Sequence, residues 1–473
     1  MKRERLELFG VGIAAFALLA LLVAPLSTPY WWDAGAVYAP GAKWLLDHGF
    51  DARPGVFPSD LSRGHTPLFY LVLAFAFRVL GAGPVAGHAL TFGFAWMAVL
   101  LTYALGRRLF GWPAGALAAA LLLSAPLFLT MSSEALPEMA LTALTAASFY
   151  AFARGQMVEC AVWGTLLVLV KETGVACPLA IAGAAGIESI IERSPREGTR
   201  RTGIALLPVV ALAAFFVAQK RAEGWFVLPY HSGLFHERHS LIEQLARVAQ
   251  SILVTDGRIA AVLGAIALLV WRRRTALGSW ETRHRDVLTA FGLYTIMNLG
   301  FFAKMFFLER YVLPVHVVVV IVLGGLLAPA GATVRAHMPG LAAALLSIGI
   351  ALSRRSAGSD MASGETTFRY LHAVHAYRAL YSRLEATSQN PVVLTDWPVT
   401  DALREPFLGW VSRPFECVHI GADDAGHPPR IDRVIAVEGL GSFERLQRAA
   451  RERGFWRLDR KEEGGAAIEL WGP

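Results

Sequence analysis

Charge is scarce in this sequence. Of 473 residues only 17% are charged, and 55% are hydrophobic. A soluble globular protein carries about a quarter charged residues. The shortfall lies in long apolar runs, which excludes the soluble globular class and marks a polytopic membrane protein. Cysteine is scarce too. Cys160 and Cys177 sit in apolar runs and Cys417 stands alone in a polar tail, so no disulfide framework is expected. The polar tail has no P-loop, no G-x-G-x-x-G ahead of a helix and no zinc-ligand spacing. No internal repeat is found, whereas a transporter or flippase predicts paired, repeat-related spans. The net charge of +7 does not imply a nucleic-acid partner, because Lys and Arg cluster in short loops between apolar runs. That pattern is the orientation signal of membrane proteins.

The apolar runs follow in order. The first, Leu8 to Pro25, is preceded by Lys2, Arg3 and Arg5, which hold its start in the cytoplasm. Ala24-Pro25-Leu26 is a poor cleavage site, so an uncleaved span is expected. A long outer loop follows, with a short surface helix over Ala34 to Leu46. Pro67 to Leu80 is too short to cross and carries Arg78, so it is expected at the interface. Spans are then expected over Pro84–Leu105, Pro113–Met131, Met139–Ala153, Cys160–Val170, Val175–Ile191 and Gly203–Ala218. Further spans are expected over Ile259–Trp271, Val287–Ala303, Tyr311–Pro329 and Pro339–Ser353. This makes about eleven spans, with Arg107-Arg108, the Arg193–Arg201 cluster and Arg272–Arg274 all inside. The fold expected for residues 1–353 is a mainly α, polytopic helical membrane region.

Residues 354–473 have the composition of a small extracytoplasmic α/β domain. Phe368 to Leu384 has helical apolar spacing. Val392–Leu394, Val434–Val437 and Ala466–Trp471 read as short strands. A helix is expected between Gly441 and Gly454, with Ser442 as its N-cap.

Several polar groups interrupt or border the apolar runs. Asp33 directly follows Tyr30-Trp31-Trp32, and tryptophan favours the membrane–water interface. It could be a solvated interfacial acid or a base in a cleft. Glu138 follows Leu136-Pro137, with Glu134 one turn earlier. Acids at a helix start also favour the dipole, which is the plainer account. Lys171-Glu172 breaks an apolar run. Ionisable groups there pair with each other, line a cavity, or both. Glu309-Arg310-Tyr311 opens another run, where Arg and Tyr serve as anchors or the guanidinium fork takes a phosphate. His65, His231, His236 and His239 lie in outer loops. His236-x-x-His239 could suit a metal but matches no zinc signature.

Together these segments resemble the GT-C superfamily of glycosyltransferases. They are most similar to the branch holding the lipid A aminoarabinose transferase (ArnT-like) and the dolichyl-phosphate-mannose protein mannosyltransferases. The resemblance covers about residues 1–353. Trp32-Asp33-Ala34 matches the family's first-loop acidic motif, and His65-Thr66-Pro67-Leu68 its Lys-Pro-Pro-Leu-like motif. Leu136-Pro137-Glu138 matches its second acid. Val170-Lys171-Glu172-Thr173 matches its Thr-Lys-Gly or Thr-Lys-Glu break, and Arg310-Tyr311-Val312-Leu313-Pro314 its Arg-Tyr-Leu-Leu-Pro-like motif. Two departures stand out: Ala34 where the family often has Glu, and His65 where it has Lys.

The resemblance implies a polyprenyl-phosphate sugar donor and a lipid, glycan or protein acceptor at the outer face of the cytoplasmic membrane. Asp33 would be the catalytic base and Glu138 would orient acceptor or sugar. Lys171, Arg310 and His65 would bind the donor phosphate, with Glu134, Glu172 and Tyr311 in support. A divalent metal is left open. The departures keep a catalytically inactive scaffold as an alternative, beside the transporter.

Overall fold

Helices follow the apolar runs, and breaks fall at proline, glycine and charge. The computed structural model describes residues 2–229, 240–255, 262, 284–328, 367–387, 390–421 and 430–473. Apart from residue 262, the expected span Ile259–Trp271, with its Arg272–Arg274 cluster, lies outside these residues, as does Pro339–Ser353. So do His231, His236 and His239.

The helical body comprises α1 (Lys2–Leu22), α2 (Ala39–Asp47), α3 (Ser59–Ser62), α4 (Leu68–Leu80), α5 (Pro84–Phe110), α6 (Trp112–Leu123) and α7 (Pro126–Met131). It continues with α8 (Pro137–Ala153), α9 (Met157–Val170), α10 (Ala176–Ile191), α11 (Pro195–Glu223), α12 (Leu241–Leu253), α13 (Arg285–Phe302) and α14 (Leu313–Leu327). Proline occupies the first positions of α5, α6, α7, α8, α11 and α14, where its missing N–H leaves no intrahelical bond unmade.

Among the described residues, four stretches are long and apolar enough to cross a membrane: Pro84–Phe110, Glu172–Ile191, Pro195–Glu223 and Glu309–Leu327. The run expected as one span over Pro113–Met131 is instead two helices, α6 and α7. Pro126 disfavours the helical region for the residue before it, and Ala125 sits at φ −76°, ψ 118°. α11 overruns the expected Gly203–Ala218 at both ends, because Arg200, Arg201, Lys220 and Arg221 continue the helix as readily as apolar residues do. Backbones meet closely where α5, α6 and α14 cross. A Cβ on Gly115 would lie 2.5 Å from the Tyr103 carbonyl, and one on Gly324 2.6 Å from that of Ala114. Small residues at crossings are how helices pack without a hydrophobic drive from water.

The polar tail folds on a five-stranded sheet of order β2-β1-β3-β5-β4. Its strands are β1 (Val393–Thr395), β2 (Cys417–His419), β3 (Arg433–Val437), β4 (Trp456–Glu463) and β5 (Ala466–Gly472). β1 runs parallel to β2 and β3, and β5 is antiparallel to β3 and β4. Alternate residues of β3 serve opposite faces, as the period of two requires. Ile435 and Val437 join Ile468 and Leu470 in the larger core with α15 (Tyr370–Glu385). Val434 and Ala436 meet Leu446 and Ala450 of α17 (Phe443–Glu452). Between β1 and β2 lies α16 (Val399–Arg404).

Ser442 does stand ahead of α17, but it does not cap it. Its backbone is helical rather than extended (φ −94°, ψ −5°), and its hydroxyl is buried with no hydrogen bond among the described residues. β2 and β4 were not expected. β4 is rich in charge because it is an edge strand, where charge blocks further pairing. Its charge also has an inward use. Glu469 on β5 is buried and accepts from Gln447 at 2.8 Å, Arg457 at 3.0 Å and Arg460 at 3.1 Å. Burial alone would push this carboxyl up, yet these bonds and one from Trp471 hold it below the usual range.

The sheet region docks onto the loop that follows α1. Tyr30 N–H donates to the Leu408 carbonyl at 3.0 Å, and the Trp410 indole donates to the Tyr30 carbonyl at 3.0 Å. Trp31 packs against Tyr377 and Trp410 with ring centroids 5.7 and 6.1 Å apart. Two segments some 380 positions apart therefore share one aromatic core, and that core fixes the residues beside Asp33.

Candidate active site

The anchor of the site is Tyr30. Its hydroxyl donates to the Gly83 carbonyl at 2.6 Å and accepts from Gly87 N–H at 3.2 Å. Two residues on, Trp32 has φ +44°, a left-handed conformation that costs a bulky residue roughly 1–3 kcal/mol. Packing over-determines it: Trp32 sits edge-on to Trp397 at 5.0 Å, and Trp31 is held as above. The chain reverses there and Asp33 leads into a π-helical turn, Ala34–Tyr38. A π turn is wider than an α turn, so Tyr38 returns to the side of Asp33. Buried Tyr38 lies within electrostatic reach of Glu138, Asp33 and Arg310. Sequence reading missed it, because five residues on is about 140° around an α-helix.

The expected residues converge. Arg310, in the 3₁₀ turn Glu309–Val312, donates through Nη2 to Asp33 Oδ2. Its Nε lies 3.9 Å from Glu138 Oε1. Lys171 Nζ donates to the same Glu138 oxygen at 2.8 Å. The Tyr311 ring underlies both cations, 4.6 Å from Lys171 Nζ and 5.6 Å from the Arg310 guanidinium carbon. Two acids and two bases thus form one neutral chain, Asp33–Arg310–Glu138–Lys171. Side-chain exposure is 3% for Arg310, 1% for Glu138 and 8% for Lys171, but 30% for Asp33. Asp33 is the member open to an incoming molecule. Glu138 Oε2 is buried with no hydrogen bond among the described residues.

Lys171 does not pair with its neighbour Glu172, the plainer alternative weighed for that break. α9 ends at Val170, and Lys171 is extended (φ −160°, ψ 139°) before the 3₁₀ turn Glu172–Val175. In extended backbone adjacent side chains point opposite ways. Lys171 reaches Glu138, and Glu172 accepts from His65 Nδ1 at 3.1 and 3.2 Å. The Thr66 hydroxyl donates to the Val168 carbonyl at 3.1 Å and locks the His65 loop to the end of α9. Glu138 is also no exposed helix-start acid, since it is the most buried of the four. Glu134 is buried on another side, against Tyr370. Among the described residues no three His, Cys, Asp or Glu side chains are grouped so as to hold a metal ion.

No family model matches the sequence, and no curated protein matches it. Solved structures do match in fold. The likeness is one of fold, to ArnT and to the oligosaccharyltransferase AglB, which are both GT-C glycosyltransferases. The chain is similar to ArnT from Cupriavidus metallidurans in the apo state, with TM-score 0.63, 15% identity and coverage of 99% of this chain and 98% of that one. The same protein bound to undecaprenyl phosphate matches with TM-score 0.59 and 14% identity over equal shares of both chains. The archaeal oligosaccharyltransferase AglB from Archaeoglobus fulgidus, in complex with an inhibitory peptide and a dolichol-phosphate, matches with TM-score 0.52 and 12% identity. That match covers 87% of this chain and 65% of AglB.

Proposed function

We propose that this protein is a multi-pass membrane glycosyltransferase. It moves a sugar from a polyprenyl-phosphate donor to a lipid, glycan or protein acceptor on the outer face of the cytoplasmic membrane. The observation that carries the reading is the ion-paired chain Asp33–Arg310–Glu138–Lys171, buried except at Asp33, set in a fold shared with a protein that binds undecaprenyl phosphate. In the resting site each cation is held by a carboxylate. The donor phosphate competes for Arg310 and Lys171, and by drawing Arg310 away it frees Asp33. The acceptor hydroxyl then attacks the anomeric carbon and its proton passes to Asp33. The carbon–oxygen bond to phosphate breaks, and polyprenyl phosphate leaves with the electron pair. Arg310 and Lys171 stabilise the charge that develops on it. Glu138 orients Lys171 as well as the acceptor or sugar. His65, paired with Glu172, closes the phosphate side.

The test is a mass comparison of envelope lipids and glycans between a deletion strain and its parent. One class of molecule should lose a sugar-sized mass increment and regain it on complementation. Identical profiles would sink the reading.

Orientation belongs to the same proposal: about eleven spans with the N-terminus in the cytoplasm, and residues 354–473 outside with Asp33. The native cysteines are all buried, so introduced ones can be read cleanly. Glu452→Cys, at an exposed site, should react with an impermeant maleimide on intact spheroplasts. Thr199→Cys, also exposed, should react only after lysis. The reverse pattern would refute the orientation.

A further inference from the structure

At the end of the helical body away from Asp33 lies a cavity of about 420 Å³. α8 carries Glu138 in its first turn and leads into Arg154 at its far end, about 24 Å along the axis. Arg108, Arg154, Arg201 and His284 line this cavity, with Asp286 as the one acid among the described lining residues. Some of this charge is used locally. Arg201 lies 3.2 Å from Asp286 and Arg154 3.5 Å from Glu159. Arg108 Nε donates to the Ala153 carbonyl at 2.8 Å, and no ion pair is seen for it among the described residues.

Arginines at the ends of α5 and α8 would by themselves be answers to helix C-termini. That account does not explain why a third comes from α11, nor why all three border one open volume. The same volume receives the N-terminus of α13, whose N-cap His284 gives no side-chain cap, so the positive end of an 18-residue helix faces it. Three guanidinium groups and a helix N-terminus around a cavity are the makings of a phosphate site.

We infer that this cavity binds a phosphate-bearing anion, in the membrane the headgroup of an anionic phospholipid. Its depth favours the lipid source. α9 begins at Met157, three residues after Arg154, and turns Val158 and Val162 outward, largely exposed. The hydrocarbon-facing strip therefore ends where the arginines begin, as at the boundary between acyl chains and headgroups. Basic pockets between helices at that level hold anionic headgroups. The inference rests on this cavity alone and not on the enzymatic reading.

The experiment uses the full chain, purified in detergent and delipidated, with phosphatidylglycerol, phosphatidylcholine and inorganic pyrophosphate as probes. Retained adducts are read by native mass spectrometry, and ligand-induced melting shifts are read within each variant. Phosphatidylglycerol should bind and phosphatidylcholine should not compete. The double variant Arg108→Gln with Arg154→Gln should weaken that binding roughly 30-fold, each basic contact being one of two lost. Should that variant not fold, Arg108→Lys with Arg154→Lys keeps the charge without the planar fork and should bind several-fold more weakly than wild type. Pyrophosphate binding as tight as that of phosphatidylglycerol, and lost with it in the variant, would uphold the phosphate site and assign it to a soluble anion. Undiminished binding in the glutamine variant, or in the lysine variant where only that one folds, would overturn the proposal. So would failure of wild type to bind either phosphate probe.

Discussion

Asp33→Asn should cut turnover at least about 100-fold without raising the donor's KM, since positioned general bases typically supply 10²–10⁴-fold. The substitution is close to isosteric, and its amide oxygen can still accept from Arg310, which also has Glu138 at 3.9 Å. The aromatic anchor around Trp31 and Trp410 is untouched. Buried Arg310 loses its nearer charged partner but keeps that hydrogen bond, so a modest fall in melting temperature is expected, and the loss of transfer should sit in kcat. Single-turnover assays with purified protein and a polyprenyl-phosphate sugar separate the two. Retention of more than about a tenth of wild-type turnover would rule out the general-base role. An equal rise in donor KM would instead place Asp33 among the groups that bind phosphate.

The sequence made much of this site legible, through one kind of signal. Charged residues that interrupt or border apolar runs are few, and membrane energetics makes them expensive. Asp33, Glu138, Lys171 and Arg310 could each be picked out on that ground before their pairing was visible. The pairing could not be read, because it depends on local backbone. By sequence alone Lys171 could equally pair with Glu172, its neighbour. A single extended residue between α9 and the following 3₁₀ turn sends the two side chains opposite ways, to Glu138 and to His65. Tyr38 was hidden for the same reason, since only a π turn returns it to Asp33. In the sheet region, the apolar strands β1, β3 and β5 were legible from composition. β4 was not, because the charged residues of an edge strand look like a loop, and Arg457 and Arg460 owe their place to buried Glu469. The joining of Trp31 to Trp410 is a contact across most of the chain, and no local pattern announces it.

The corrected pairing changes what Lys171 predicts. Glu138 is 1% exposed and bonds Lys171 at 2.8 Å, so Lys171→Met leaves a buried carboxylate with only the more distant Arg310. Breaking a buried pair from one side typically costs about 3–5 kcal/mol. A drop in melting temperature and loss of transfer are both expected, and loss of transfer alone would not separate a structural lysine from a phosphate-binding one. The double change Lys171→Met with Glu138→Leu does separate them. It removes one positive and one negative charge from the neutral chain and leaves Asp33 with Arg310, again neutral. Replacing a buried pair by apolar residues of similar volume is often neutral or stabilising, so the melting temperature should recover. If Lys171 holds the donor phosphate, affinity for polyprenyl phosphate should stay low despite that recovery, because charge-assisted contacts are roughly twice as strong as neutral ones and one of two is gone. If Lys171 and Glu138 only hold the helices together, stability, carrier binding and transfer should return together. That joint return, measured by melting curves, carrier titration and turnover on one preparation, would remove both residues from the active site.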